Sequence, residues 1–379
     1  MILKYKFNYF LLILKKKGCG KMKKILIISI SDNNNYGNRL QNYAMQKVLK
    51  NKNFIVTTLW NQTYKDTMFV RFKKIIKFIL KKTIFKNDSR VERYNCFSNF
   101  TNQYINNTDT VKPGFSLTKL NKQYDYYIIG SDQIWNYNFR HKYFGILEFG
   151  RFDKSSKCIS YSASIGINDI PKEMEKVYKD GFNHIKAISV REDRAKEIVE
   201  ELTGRTDVQV LVDPTMLLTP KEWDKVSKKP EQLTFDKYIL NYFLGELSES
   251  RKKEIERIAQ ENNCHIINIL DSKDPFYVCG PSEFLYLEKH AFLICTDSFH
   301  SSIFAILYNR PFLIFERKDK LLKMNSRIDT LLHKFNLENR RFDGQITEEN
   351  LRHDYAGAYK ILEEERKKAF AFLDKALND

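Results

Sequence analysis

The 379-residue chain has no apolar run of the ~18–20 residues that a membrane-spanning helix needs. Its longest candidate, Phe7 to Leu14, is flanked by lysines and far too short. Paired cysteines are absent too. Cys19, Cys96, Cys158, Cys264, Cys279 and Cys295 stand singly with no CxxC spacing, which argues against a zinc site or a disulfide framework. Cys158, Cys264 and Cys295 lie in apolar, strand-like runs and read as buried thiols of a reducing compartment. No His/Asp cluster has metal-ligand spacing, and no nucleic-acid motif is found. Acidic charge is in deficit: 47 Asp and Glu face 64 Lys and Arg, a net charge of +17. Drift toward a chain rich in Lys, Asn, Ile, Tyr and Phe accounts for this, and attraction to anionic ligands or a membrane surface is the alternative. Basic residues crowd Arg71 to Lys86 with apolar residues at roughly helical spacing. That pattern reads as a solvated helix face, or as an amphipathic helix touching a membrane.

What is present suffices for sizeable cores. Hydrophobic residues make up 42% and aromatics 14%, so disorder is not expected, and the length predicts two domains. From Met22 the text runs Met-Lys-Lys-Ile-Leu-Ile-Ile-Ser, the opening of a buried strand. Residues 1–21 are therefore read as an extension outside the fold; a signal peptide would need a small-residue cleavage site. Strand and helix patterns then alternate through residues 22–218. Residues 219–236, with Pro220 and Pro230, read as a linker. The alternation resumes over 237–345, and a long helix capped by Thr347 is expected over 346–379. Near-continuous apolar strands alternating with helices predict an α/β fold of two Rossmann-like lobes with parallel sheets and a cleft between them. Ligands of such sheets bind beyond the carboxyl ends of the strands, so function is sought there.

Four strand ends carry unusual polar residues. Asn35-Tyr36-Gly37-Asn38-Arg39 enters a helix, where a tight glycine turn and helix-start amides favour an anion; an ordinary Asn-rich turn is the alternative. Gly130-Ser131-Asp132-Gln133-Ile134-Trp135-Asn136 ends a buried strand, and also fits a helix cap with Trp135 in the core. In Ser189-Val190-Arg191-Glu192, Arg191 suits bidentate capture of phosphate or carboxylate, or an ion pair with a neighbouring acid. Asp297-Ser298-Phe299-His300-Ser301-Ser302 closes an apolar strand and opens a helix. There a histidine can exchange protons near neutral pH, unless it only caps the turn.

Taken together, Asn-Tyr-Gly-Asn-Arg-Leu-Gln-Asn-Tyr-Ala at 35–44, Gly-Ser-Asp-Gln-Ile-Trp-Asn at 130–136, Ser-Val-Arg-Glu at 189–192 and Asp-Ser-Phe-His-Ser-Ser-Ile-Phe-Ala at 297–305 resemble the polysaccharide pyruvyl transferase family. Ser326-Arg327-Ile328 also looks like that family, and the resemblance spans about residues 23–340. It implies a two-lobed architecture similar to the B-type glycosyltransferases. It also implies transfer of pyruvate from phosphoenolpyruvate to hydroxyls of a cell-surface polysaccharide or its lipid-linked oligosaccharide precursor. One departure stands out: where many members carry Arg-Leu-His, this chain has Ser298-Phe299-His300.

On this reading phosphoenolpyruvate is a substrate, with no cofactor, no metal and no nucleic-acid partner. His300 is the expected acid/base group, with Asp132 or Asp297 as a second. Arg191 and Arg327, the helix start at Ser298, Ser301 and Ser302, and the turns at Gly130, Ser131, Asn35, Gly37 and Asn38 are expected to bind substrate. The expected place is the cytoplasm, with contact at the inner membrane face. A nucleotide-sugar glycosyltransferase of the same architecture, and a non-catalytic basic glycan- or nucleic-acid-binding protein, are the rival readings.

Overall fold

The computed structural model describes residues 22–61, 88–108, 117, 120, 123–139, 144–153, 155, 157–317 and 326–378. The readings of 1–21 as an extension and of 71–86 as a basic helix fall outside the described residues.

Two parallel sheets organise the chain. The first is built from β1 (Lys24–Ile28), β2 (Ile55–Thr58), β3 (Tyr126–Ile129), β4 (Cys158–Ala163), β5 (Ala187–Val190) and β6 (Gln209–Val210), in the order β2-β1-β3-β4-β5-β6. The second contains β7 (Tyr238–Tyr242), β8 (His265–Asn268), β9 (Leu293–Thr296) and β10 (Phe312–Ile314), in the order β10-β9-β7-β8. All paired neighbours run parallel. The apolar runs explain this: β4, β7, β9 and β10 are buried at every position, as strands covered on both faces must be.

The strand order reverses between β1 and β3 in one lobe and between β7 and β9 in the other. These are the switch points at whose carboxyl ends α/β proteins open a crevice. Their outgoing loops carry Asn35–Asn38, Gly130–Asp132, Leu244–Gly245 and Asp297–His300.

The lobes share one apolar core that includes Tyr36, Leu40 and Trp223 together with Phe284, Ile303 and Phe304. Tyr36, the first residue of the helix Tyr36–Asn51, stacks on Phe284 at 4.3 Å. Its hydroxyl donates to the Cys279 carbonyl at 2.7 Å and accepts from Arg93 Nη1 at 2.7 Å.

The segment 219–236 is more than a connector. Thr219 forms a capping box with Glu222 on the short helix Pro220–Asp224, and Trp223 is fully buried between Tyr43 and Phe304. The expected long last helix is interrupted. Thr347 caps only Glu348–Leu351, and the 23-residue helix begins at Ala356. Arg340 captures the carbonyls of Asn350 and Arg352, and buried Tyr355 bonds the Arg310 carbonyl, so this stretch is fastened to the second lobe. The helix then returns to the first lobe, where Arg366 donates to the carbonyls of Met216 and Leu218.

Cys158 and Cys295 are buried, and burial raises both thiols. Cys264 is only half-buried, because it precedes β8 at the sheet edge; Cys279 is buried as well. Among the described residues no helix is long and apolar enough to cross a membrane.

Candidate active site

The two switch points meet at one histidine. The helix Phe299–Leu307 starts two residues before Ser301, because Ser298 holds an extended conformation (φ −101°) and serves as its N-cap. His300 therefore sits in the first turn and is buried. Its ring lies over Gly37 of the other lobe: a Cβ at position 37 would come within 2.0 Å of His300 Nδ1. Only glycine admits that approach. The opposite ring nitrogen, Nε2, lies 3.7 Å from Asp213 Oδ2, an ion-pair separation longer than a hydrogen bond.

Asp213 is the hub. It follows β6 and is buried. Its Oδ1 accepts from the Thr215 amide at 2.9 Å and hydroxyl at 2.7 Å. Its Oδ2 accepts from Arg191 Nη1 at 2.8 Å and shares the Ser131 hydroxyl, at 2.9 Å, with the Ser162 carbonyl. Burial opposes its charge, but the His300 ring, Arg191 and the Thr215 amide outweigh burial and hold the carboxyl far below its usual range. Asp213 belongs to none of the four polar strand-end motifs, yet it too follows a strand of the first sheet.

Arg191 at the end of β5 forms the ion pair that was the alternative reading of its motif, with Asp213 and, at 3.6 Å, with Asp132. Its guanidinium lies 4.5 Å over the Phe299 ring, and its Nε and Nη2 are buried without a hydrogen-bond partner. Arg327, in the first turn of the helix Ser326–Phe335, lies 5.9 Å over the same ring. With the Gln133 amide turned so that its oxygen faces Arg327, that oxygen is 3.1 and 3.0 Å from Nη1 and Nη2. Arg327 Nε has no partner, and among the described residues no carboxylate lies within ion-pair distance of this guanidinium. Burial, then the neighbouring charge of Arg191, lower its pKa to about 10, so it stays charged at neutral pH.

The glycine-rich strand end supplies geometry. Gly130 has φ +109°, and a Cβ there would lie 2.7 Å from the Tyr161 carbonyl. Asp132 accepts from Asn38 Nδ2 at 3.0 Å; burial opposes its charge, but Arg191 and then His300 keep the carboxyl below its ordinary value. Asn38 also donates to the Ile30 carbonyl, while Asn35 caps its helix through the Asn38 amide at 3.0 Å. Both asparagines shape the turn through bonds within the protein. Trp135 is in the core, as the alternative reading had it.

Three predicted residues have other settings. Asp297 accepts from the amides of Leu244 (2.7 Å) and Gly245 (2.8 Å) and from Arg317 Nε (3.1 Å), so its carboxylate holds the loop after β7. The Ser301 hydroxyl donates to Glu288 at 2.5 Å, and that of Ser302 to the Ser298 carbonyl at 2.9 Å. Both hydroxyls are spent inside the lobe; what the helix start offers is backbone amides. Among the described residues no group of His, Cys, Asp and Glu is arranged to hold a metal ion.

Buried cationic donors without acceptors, an imidazole and helix-start amides thus converge where both sheets reverse their order. A sequence profile of polysaccharide pyruvyl transferases matches residues 35–319, which takes in the four strand-end motifs and ends before Arg327. The chain belongs to the polysaccharide pyruvyl transferase family. Solved structures with the same two-lobed fold are far more distant in sequence. A putative UDP-N-acetylglucosamine 2-epimerase from Listeria monocytogenes aligns at 11% identity with a TM-score of 0.51, covering 92% of this chain and 91% of that one. The protein LpCGTa, solved in complex with UDP, aligns at 10% identity with a TM-score of 0.50, covering 95% and 100%. No curated protein matches the chain in sequence. Within the polysaccharide pyruvyl transferases, this chain's centre is a histidine from one lobe seated on a glycine of the other, beside an Arg191–Asp213 pair.

Proposed function

We propose that this polysaccharide pyruvyl transferase moves pyruvate from phosphoenolpyruvate to a sugar diol. The observation that carries the reading is the buried group of nitrogens without a hydrogen bond around Phe299: Arg191 Nε and Nη2, Arg327 Nε and His300 Nε2, of which Nη2 and Nε2 face carboxylates only at 3.6 and 3.7 Å. Buried donors are nearly always hydrogen-bonded, and charge-assisted bonds to carboxylate or phosphate oxygens suit guanidinium best. A compact dianion bearing both groups completes the set.

The chemistry follows from the donor. One sugar hydroxyl gives up its proton as its oxygen bonds to the enol carbon, and a proton adds to the terminal methylene, which becomes a methyl group. The carbon–oxygen bond to phosphate then breaks, releasing inorganic phosphate. A second hydroxyl bonds to the same carbon and loses its proton, closing the ketal. His300 is assigned the proton movement, with Asp132 as a weaker second candidate. Arg327 and Arg191 are assigned the donor's charges. Ser298 stands where many members carry arginine, and Arg327, whose Nε has no hydrogen-bond partner and which has no carboxylate within ion-pair distance among the described residues, is assigned that positive charge. Because the donor and a nascent polysaccharide precursor meet inside the cell, the reading places the protein in the cytoplasm, at the inner membrane face where the acceptor is lipid-linked.

The test is phosphate release from phosphoenolpyruvate that depends on an added sugar acceptor. His300→Ala should lower turnover ~10²–10⁴-fold with the fold intact. A nucleotide-sugar reading has support from the fold alone, since LpCGTa binds UDP. Release of UDP from a UDP-sugar, with no phosphate from phosphoenolpyruvate, would decide for it.

A further inference from the structure

The second lobe contains a cavity of about 480 Å³ between the carboxyl ends of β7 and β8 and the helix Glu249–Glu261. Its size lies in the ~300–1,000 Å³ range of small-molecule sites. It is separate from the centre described above. Successive strand residues face opposite ways. Tyr242 points to the lobe junction, where it packs on Tyr36 and Phe284, so Asn241 points to the other face of the sheet and lines the cavity.

Asn241 is 6% exposed. Its Nδ2 donates to Asn268 Oδ1 at 2.9 Å, and its Oδ1 has no partner. Buried amide oxygens are almost always satisfied, so a donor is missing here. Around this amide pair the wall is mixed. Phe243 and Leu247 offer apolar surface, and Glu256 and Asp271 offer acceptors. Lys252, the basic residue among those lining the cavity, is paired with Glu249 at 2.6 Å. Two carboxylates and no arginine disfavour a phosphorylated ligand. A ring with hydroxyl donors on its edge and C–H groups on its face fits each part of the wall.

We propose that this cavity is a binding site for a neutral saccharide unit, distinct from the site of group transfer. The loop that walls it, residues 243–248, is the loop whose amides Asp297 holds, three residues before His300. A sugar seated here is one loop away from the catalytic turn. The proposal does not require the transfer chemistry: the cavity can bind sugar whether or not phosphoenolpyruvate is the donor.

Saturation-transfer difference NMR on the full chain tests it, with the methyl glycosides of glucose, galactose, mannose and N-acetylglucosamine and with uridine as probes. At least one glycoside should give a saturable signal. Asn268→Ala, which removes the partner of Asn241, should weaken that binding about tenfold, the worth of one hydrogen bond. Leu247→Trp, which fills the cavity without touching the amide pair, should abolish it. Thermal melts establish that each variant is folded. Absence of any glycoside signal, binding of uridine alone, or wild-type binding in folded Leu247→Trp overturns the proposal. Phosphate release measured in parallel keeps its failure distinct from that of the transfer reading.

Discussion

Replacing Asp213 with Asn tests whether one carboxylate organises the site. The side chains have nearly the same shape, so packing is kept while the charge is lost. In the wild type both oxygens are saturated by donors: Thr215 on one, Arg191 Nη1 at 2.8 Å and the Ser131 hydroxyl on the other. An amide can accept on only one of these sides. If its oxygen stays with Thr215, its NH2 confronts the Arg191 guanidinium, donor against donor, while the Ser131 hydroxyl can turn wholly to the Ser162 carbonyl. Removing one partner of a buried ion pair costs about 3–5 kcal/mol. For a chain of this size that is a fall in Tm of roughly 4–6 °C. The sign of the pH dependence follows from the depressed carboxyl of Asp213. Its stabilisation is complete above the unfolded value of about 3.9 and is lost as pH falls through the lower folded value. The difference between variant and wild type should therefore be constant from pH 5 to 8 and shrink below about 4. Scanning calorimetry across that range measures it. A variant within the ~0.5 kcal/mol typical of surface substitutions at pH 7 would refute the assignment of Asp213 as hub.

Further outcomes are expected at three positions. Gly37→Ala places a methyl group 2.0 Å from His300 Nδ1, so the ring must move. The variant should be less stable by about 1–3 kcal/mol and should lose phosphate release while keeping donor binding; unchanged turnover would show that the ring's seat does not matter. Arg327→Ala should remove most of the thermal protection that phosphoenolpyruvate confers, measured by differential scanning fluorimetry, and full protection would exclude it as the donor's anchor. Glu288 is fully buried, and burial raises its carboxyl well above the ordinary value despite the Ser301 hydrogen bond. Its contribution is fullest below the unfolded value and lost as pH rises toward the folded one. Relative to Glu288→Gln, the wild type should thus weaken by about 1.4 kcal/mol per pH unit above about pH 4.3. Parallel stability curves would contradict a neutral Glu288.

Read by itself, the order of residues determined the strands, the parallel α/β class and the strand ends where polar residues gather. Those features are written in local periodicity: apolar runs such as Tyr126–Ile129 and Leu293–Thr296 can be satisfied only by burial on both faces. It also named Arg191, Asp132 and His300, as polar residues that follow buried strands, and Arg327 through the likeness of Ser326-Arg327-Ile328 to the family. What it could not assign was partnership. Asp213 lies 87 residues before His300 in the chain, and Gly37 lies in the other lobe; neither carries a local sign of its neighbour. Ser301 looked like a substrate ligand and Asp297 like a second acid/base group, until packing turned one toward Glu288 and the other toward the loop at Leu244. The last helix shows the same limit: Thr347 is a sound cap locally, but Arg340 and Tyr355, fixed from elsewhere, end the turn it starts. Periodicity encodes which face a residue presents; only the meeting of two lobes decides what that face finds.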